Sequence, residues 1–502
     1  MSEQKNKAVV GIDLGTATCA TSVVTKTGLA KSVVFGDGST MLRSIVYFQD
    51  AETPIVGQEA ENLLLLDPSG GVRHWKRKMG SDEVLFHAKS GKEFRAEDLA
   101  TLFLQQCKHA AETETGIDYR DAVVTVPANY TDQQKAATIR AANTAGFSVV
   151  NLIHEPTAAM FSRLANTERE DVPDGLRLVV DEGGGTFDVS VCEKLGNAYE
   201  IKATNGVPEL GGMDYTQALV DHCSKSFLQS SGVELRDESH SDELADLWRR
   251  AEEAKLRSNR VDKVTIPMIV GEHRHQVVIT KDTLRQIWQP LIEATLKCIR
   301  RTLDEANLKL DDIRELIPIG GGSQLFVLRE ELARFFGRPL SDHSDPIHCV
   351  AHGAVIRGWE DRGEVQVDRA TTLPSRGYAL RDVTAHAIGV KALDRAKTEC
   401  FSEILKKGVR IPSVYQEQFS LAEDGQTDAL IEIFQGSTGL NLADCLKLGE
   451  FELAGLPPIH GERHHIEIEL RIDDDGILTA TAQCAVSRKT ADLSVQYKPK
   501  AA

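Results

Sequence analysis

The chain has 502 residues, 41% hydrophobic and 26% charged, which is enough for two to four domains with substantial cores. Its net charge of −17 comes without any basic block, so a nucleic-acid surface is disfavoured, and no apolar run approaches the roughly 18 residues of a membrane span. Nine scattered cysteines, with no C-x-x-C pair, suggest reduced thiols rather than a disulfide framework or a zinc cluster, and with the polar start Met1 to Lys7 the expected location is the cytoplasm.

Taken in chain order, the first strand, Val9 to Leu14, ends in Asp13 and the turn Gly15-Thr16-Ala17. Ala122 to Val126 reads as a strand and Asp132 to Ala145 as a helix. Leu176 to Val180 leads into Asp181-Glu182-Gly183-Gly184-Gly185-Thr186-Phe187-Asp188, a second apolar strand ending in an acid and a glycine turn. Such turns suit a polyphosphate, because residues without a Cβ let backbone N–H groups close on anionic oxygens while the adjacent carboxylate holds a hydrated divalent cation. Two of them could grip one nucleotide from opposite sides.

Helical patterns follow at Leu244 to Arg257 and Asp282 to Ala306, and a third glycine cluster, Gly320-Gly321-Gly322-Ser323, sits between the apolar run Leu316 to Ile319 and a helix from Leu325 to Phe336. Alternation of strands and helices to about residue 360 is the α/β signature, and the duplicated strand-turn unit implies two similar lobes. After Trp359 the chain turns polar, and Thr371 to Gly377 reads as a linker. Beyond it strands dominate. Ile466, Ile468, Leu470 and Ile472 alternate with polar residues, Asp473-Asp474-Asp475-Gly476 turns, and Leu478, Ala480 and Ala482 resume the pattern as a hairpin. Consecutive acids lack the every-second-residue spacing of a calcium loop. The last strand is expected at Ala491 to Tyr497, with no long helix after it.

At these loops the chain resembles the seventy-kilodalton heat-shock chaperones of the DnaK type, in the actin-like ATPase superfamily, nearly end to end. Further matching stretches are Val123 to Ala128, Glu155-Pro156-Thr157-Ala158-Ala159, Leu210-Gly211-Gly212-Met213-Asp214, Val350 to Ala354, Phe419 to Asp424 and Gly449 to Pro458; Trp75 to Ser81 is closer to the specialised bacterial Hsc-type branch. The resemblance implies a two-lobed α/β actin-like ATPase domain over residues 1–366, a linker over 367–382, and an all-β sandwich peptide-binding domain over 383–502 without a helical lid, whose groove would exchange peptide quickly. The activity implied is slow hydrolysis of ATP to ADP with Mg2+, and K+ as a candidate second ion, controlling the binding of exposed hydrophobic peptides. A J-domain co-chaperone and a nucleotide exchange factor are the implied helpers.

Asp13 and Asp181, each ending a phosphate-loop strand, are the expected organisers of magnesium through waters. By resemblance, Thr16 and Thr186 place hydroxyls beside phosphate oxygens, Lys76 is the catalytic lysine, Glu155 belongs to the magnesium site and Pro127 is a switch proline. Glu252, Lys255 and Asn259 match adenosine contacts, and Gly211, Gly212, Gly321, Gly322 and Ser323 match loops around the nucleotide. Val390, Leu393, Phe419, Ala422, Ala429 and Ile431 map onto the peptide groove, with Ala429 implying an altered central pocket.

Several positions depart from the family pattern. Leu325 stands in place of an adenine-stacking arginine, Ile347 of an aspartate, Met213 of a glutamate and Glu182 of a leucine. Lys135 replaces the arginine that partners the switch proline, and Tyr378-Ala379-Leu380-Arg381-Asp382 is a thinner, charge-interrupted version of the leucine-rich linker, so weaker coupling through Asp382 is expected. Two other readings stay open: a nucleotide-gated binding protein or co-chaperone with a vestigial ATPase and one dedicated partner, and a sugar kinase or filament-forming actin relative, which leaves the C-terminal strands unexplained.

Overall fold

The computed structural model describes residues 8–49, 54–166, 173–196, 198–235, 240–342, 345–368, 371–375, 377, 379–394, 396–436, 441–459, 463–473 and 476–494. Met1 to Lys7, Arg376, Tyr378, Asp474, Asp475 and the end of the expected last strand lie outside the described residues.

Two sheets of one design form the α/β part. In the first, Val9–Leu14 pairs antiparallel with Thr18–Val24 and parallel with Asp121–Val126, which in turn pairs parallel with Val149–His154. The second places Gly175–Glu182 antiparallel to Phe187–Leu195 and parallel to Ile313–Ile319. The repeated unit is therefore a strand, a glycine turn and a returning strand, with a parallel neighbour on the other side.

Helices Glu155–Asn166 and Cys349–Arg362 pack against each other between the lobes. Their approach depends on glycine: a Cβ on Gly353 would stand 1.6 Å from the carbonyl oxygen of Ala158, so any larger side chain would push the helices apart. A buried cluster continues through this junction, joining Val9 and Val123 of the first lobe to Val179 and Ile317 of the second through Ala158, Val355 and Trp359. Close packing of this kind ties the two lobes together at the junction.

The polar segment after Trp359 is more ordered than its composition suggests. Thr372–Pro374 pairs with Glu364–Gln366, with Val365 buried and Leu373 packed on the interlobe core. Two apolar side chains aimed the same way suffice to tie the hairpin down.

The C-terminal part is a sandwich of two four-stranded sheets. One has Ala387–Leu393 between Glu399–Leu405 and Ala429–Gly436, with Leu446–Leu453 outermost; the other runs Ser413–Ser420, His465–Ile472, Leu478–Cys484, Thr490–Ser494. The alternating hairpin has the register Ile466↔Cys484 to Ile472↔Leu478, which turns Ile466, Ile468, Leu470, Leu478, Ala480 and Ala482 into the core.

The strand Ala379–Val383 joins the parts. It pairs parallel with Ala198–Val207 of the second lobe and antiparallel with Arg410–Ile411 of the sandwich, so one sheet runs across the domain boundary. Lys135 Nζ donates to the Gly476 carbonyl at 3.3 Å, and the Arg410 guanidinium meets Glu200 at 2.6 Å. The sandwich is docked on both lobes.

Candidate active site

The two glycine turns meet face to face. A Cβ on Gly184 would lie 2.5 Å from the Ala17 side chain, and one on Gly185 would lie 2.6 Å from that of Thr16, so loops from opposite lobes touch only because these positions are glycine. The third loop reaches the same place, since a Cβ on Gly320, whose φ is +80°, would meet an Asp181 carboxylate oxygen at 2.5 Å.

A cavity of about 100 Å³ opens between them, lined by Asp13, Gly15, Thr16, Ala17, Lys76, Glu155, Asp181, Gly183, Gly184, Thr186, Gly321 and Ile347, among others. Gly211 and Gly212 brace its wall, with the Gly212 N–H donating to the Gly183 carbonyl at 2.9 Å. Lys76, 3% exposed, donates to Glu155 at 2.8 Å. Burial alone would depress this ammonium, but Glu155 beside it, helped by Asp13, raises it above the usual lysine range.

The carboxylates outnumber the cations. Burial, reinforced by Glu155, pushes Asp13 up to about 7 and Asp188 up to about 8, and raises Asp181 well above the carboxylate range. Thr125 Oγ1 donates to Asp13 at 3.0 Å and the Ala128 N–H to Asp188 at 2.9 Å, while the other Asp188 oxygen is buried without a hydrogen-bond partner. Hard, under-neutralised oxygens of this kind fit a divalent cation. Among the described residues no three His, Cys, Asp or Glu side chains stand close enough to cage one directly. The set fits Mg2+ held through waters.

The positions matched to adenosine contacts fall outside this cavity. Lys255 Nζ reaches Glu252 Oε2 and the Gly212 carbonyl, each at 2.7 Å, and Thr216 also donates to Glu252. Asn259 Oδ1 accepts from the Phe326 N–H at 2.9 Å, capping the helix Phe326–Phe336, and Ser323 donates to the Gly320 carbonyl at 2.7 Å. Leu325, in the arginine's place, is buried in the second lobe's core.

Glu182 points away from the cavity, as strand alternation requires, and is fully buried with neither carboxylate oxygen hydrogen-bonded. Burial, and then Asp214 and Asp188, raise its pKa well above the usual range. Glu182→Leu is expected to stabilise the second lobe by about 2 kcal/mol, a thermal midpoint higher by roughly 5 °C. An unchanged or lower midpoint in calorimetry contradicts this.

Three participants escaped the sequence reading. Asp188 pairs directly across the hairpin from Asp181, which the register of the second glycine turn makes legible in retrospect. Arg77 reads as one cation in a basic run, yet its guanidinium spans the lobes, donating to the Gly185 carbonyl at 2.7 Å and to Asp214 at 2.5 Å. His154, 6% exposed, meets Asp382 at 2.9 Å, and no local signal marks it. Pro127 is buried beneath the turn into Tyr130, whose N–H donates to its carbonyl at 3.1 Å.

In the sandwich, Val390, Ala429 and Ile431 belong to the core cluster and Phe419 packs partly against it, while Leu393 and Ala422 are exposed.

The family model described as Hsp70 protein matches residues 9–501. Chaperone protein DnaK of Methanothermobacter thermautotrophicus is 30% identical over 95% of this chain and 78% of its own length. Chaperone protein DnaK of Halobacterium salinarum is 31% identical over 98% of this chain and 75% of its own length.

Proposed function

The chain belongs to the Hsp70 family, and from that premise we infer how its residues divide the work of an ATP-dependent chaperone. It is an ATPase that uses ATP and ADP with Mg2+, and the vestigial-ATPase alternative is not favoured. No helix among the described residues is long and apolar enough to cross a membrane, and the proposed location is the cytoplasm.

In this proposal the triphosphate lies between the two glycine turns, with Thr16 and Thr186 at its outer end. Asp13, Asp181 and Glu155 hold Mg2+ through water; when bound, the ion neutralises charge on the phosphate oxygens. Lys76 faces the terminal phosphoryl group and steadies both the attacking water and the charge that develops as the bond to the bridging oxygen breaks. The contact between the two turns is the observation that carries this reading. Residues 383–502 bind exposed hydrophobic segments, with Val390, Leu393, Phe419, Ala422, Ala429 and Ile431 as the proposed groove. A J-domain protein and an exchange factor are the proposed helpers.

Coupling is assigned to the docked strand through its own Asp382, together with Lys135 and Pro127, because rotation of one lobe against the other would shear a sheet that runs into the sandwich. An extended hydrophobic peptide is expected to accelerate steady-state hydrolysis several-fold. No stimulation with MgATP binding intact would reject coupled chaperoning.

The docked interface also confers a pH dependence. Burial, and then the charges of Lys135, Lys407 and His154, depress His386 to about 4, and its Nε2 meets the Asn129 carbonyl at 3.1 Å. A base depressed on docking takes up its proton more readily when undocked, so docking is fully supported above the free histidine value and weakens as pH falls below it. Between pH 7.5 and 5.5 that is a roughly tenfold shift toward the undocked form. Domain-to-domain energy transfer should show this shift in the wild type and lose most of it in His386→Gln; an equal shift in both contradicts the assignment.

A further inference from the structure

Behind the nucleotide cavity lies a second and larger one, of about 390 Å³. The two share Thr16, Lys76 and Thr186, the residues assigned above to the terminal phosphate. At roughly 30 Å³ per water, the larger space holds a phosphate together with its hydration shell.

Its lining is built for an oxyanion in transit. Lys76, Arg77, Arg301 and Lys407 face it, interspersed with Thr, Asn, Gln and Tyr side chains, and among the described residues no carboxylate lines it. Each cation is tethered from outside the lining: Lys76 to Glu155 at 2.8 Å, Arg77 to Asp214 at 2.5 Å, Lys407 to Glu305 at 2.8 Å, and Arg301 to Glu305 at 3.6 Å. Fixed donors with their charge largely balanced offer an anion successive weak sites rather than one deep trap, the condition for passage through a channel. His386 and Lys407 of the sandwich also line it, so both lobes and the second domain contribute.

Resting on the nucleotide reading above, we propose that this second cavity is the passage by which orthophosphate leaves after cleavage. ADP occupying the phosphate turns would close the front of the nucleotide cavity, while the side shared with the larger cavity, at Thr16, Lys76 and Thr186, stays available.

A passage alters entry and escape together, whereas a binding site alters affinity. The test loads the full chain with MgADP and follows trapping and release of orthovanadate, a phosphate mimic, in the wild type, Arg301→Glu and Arg300→Glu. Arg301 is more than half exposed, and Arg300, which stacks on Phe335 and is not part of the lining, carries the same charge reversal. Arg301→Glu is expected to slow both rates about tenfold with a dissociation constant altered less than twofold, while Arg300→Glu leaves both rates within about twofold of wild type. Wild-type rates in Arg301→Glu, equal slowing in both variants, or an effect on escape alone would overturn the passage. Failure of the wild type to trap vanadate at all would instead strike the nucleotide reading, and the passage would fall with it.

Discussion

Lys76→Ala is expected to lower single-turnover hydrolysis by at least about a hundredfold while MgATP still binds. Among the described residues that line the cavity Lys76 is the only cation, set near the carboxylates Asp13, Glu155, Asp181 and Asp188 and held by Glu155 at 2.8 Å. A donor fixed in this way requires no reorganisation as charge develops on the phosphoryl group, and removal of one such donor typically costs two to three orders of magnitude in rate. Binding depends on the glycine turns, which the substitution leaves in place. Quenched-flow measurement at saturating MgATP checks the rate, and a loss of less than about fivefold would remove Lys76 from the chemistry. Lys76→Arg is expected to recover little, because a planar, delocalised guanidinium does not reproduce the compact point charge that Glu155 holds at 2.8 Å.

Asp382→Asn is expected to abolish peptide stimulation of the ATPase while leaving basal hydrolysis measurable. Burial alone would raise the Asp382 carboxyl, but His154 at 2.9 Å and the Val383 N–H hold it below the usual range, and Thr157 donates a further, longer bond. Removing one member of a buried pair strands the other, at a cost of roughly 3 kcal/mol. That is enough to move a docked population of nine in ten to a small minority. The thin linker suggests weak coupling; beside it the structure places a buried contact between His154 and Asp382. Restoration of stimulation in the double variant His154→Leu with Asp382→Leu would support a docking role, whereas unimpaired stimulation in Asp382→Asn would contradict it.

Much of this architecture is legible in the chain because it is written in local terms. Asp13 and Asp181 each close an apolar strand before a glycine turn, and that repetition announces two lobes around one ligand. The period-two run Ile466 to Ile472 likewise declares its inward face. What local pattern cannot supply is the partner across space. His154 and Asp382 lie 228 residues apart, and each looks unremarkable in its own segment. Arg77 seems a solvated cation until the second lobe folds over it.

The groove residues show a different limit. Alternation identifies Val390, Ala429 and Ile431 as inward, but inward positions of a sandwich are core first, and all three pack there. Leu393, at 49% exposed, and Ala422 lie at the surface, where no periodicity marks them. Glu182 breaks the apolar pattern of its strand without any sequence sign of a partner, and among the described residues it has no hydrogen-bond partner.

The most direct measurement is a crystal structure with ADP, beryllium fluoride and Mn2+ in place of Mg2+. The account predicts an anomalous manganese peak within about 5 Å of both the Asp13 and Asp181 carboxylates, a water-bridged distance, with the fluoride group between the two glycine turns and facing Lys76. Nucleotide bound elsewhere, or manganese remote from both aspartates, would contradict it.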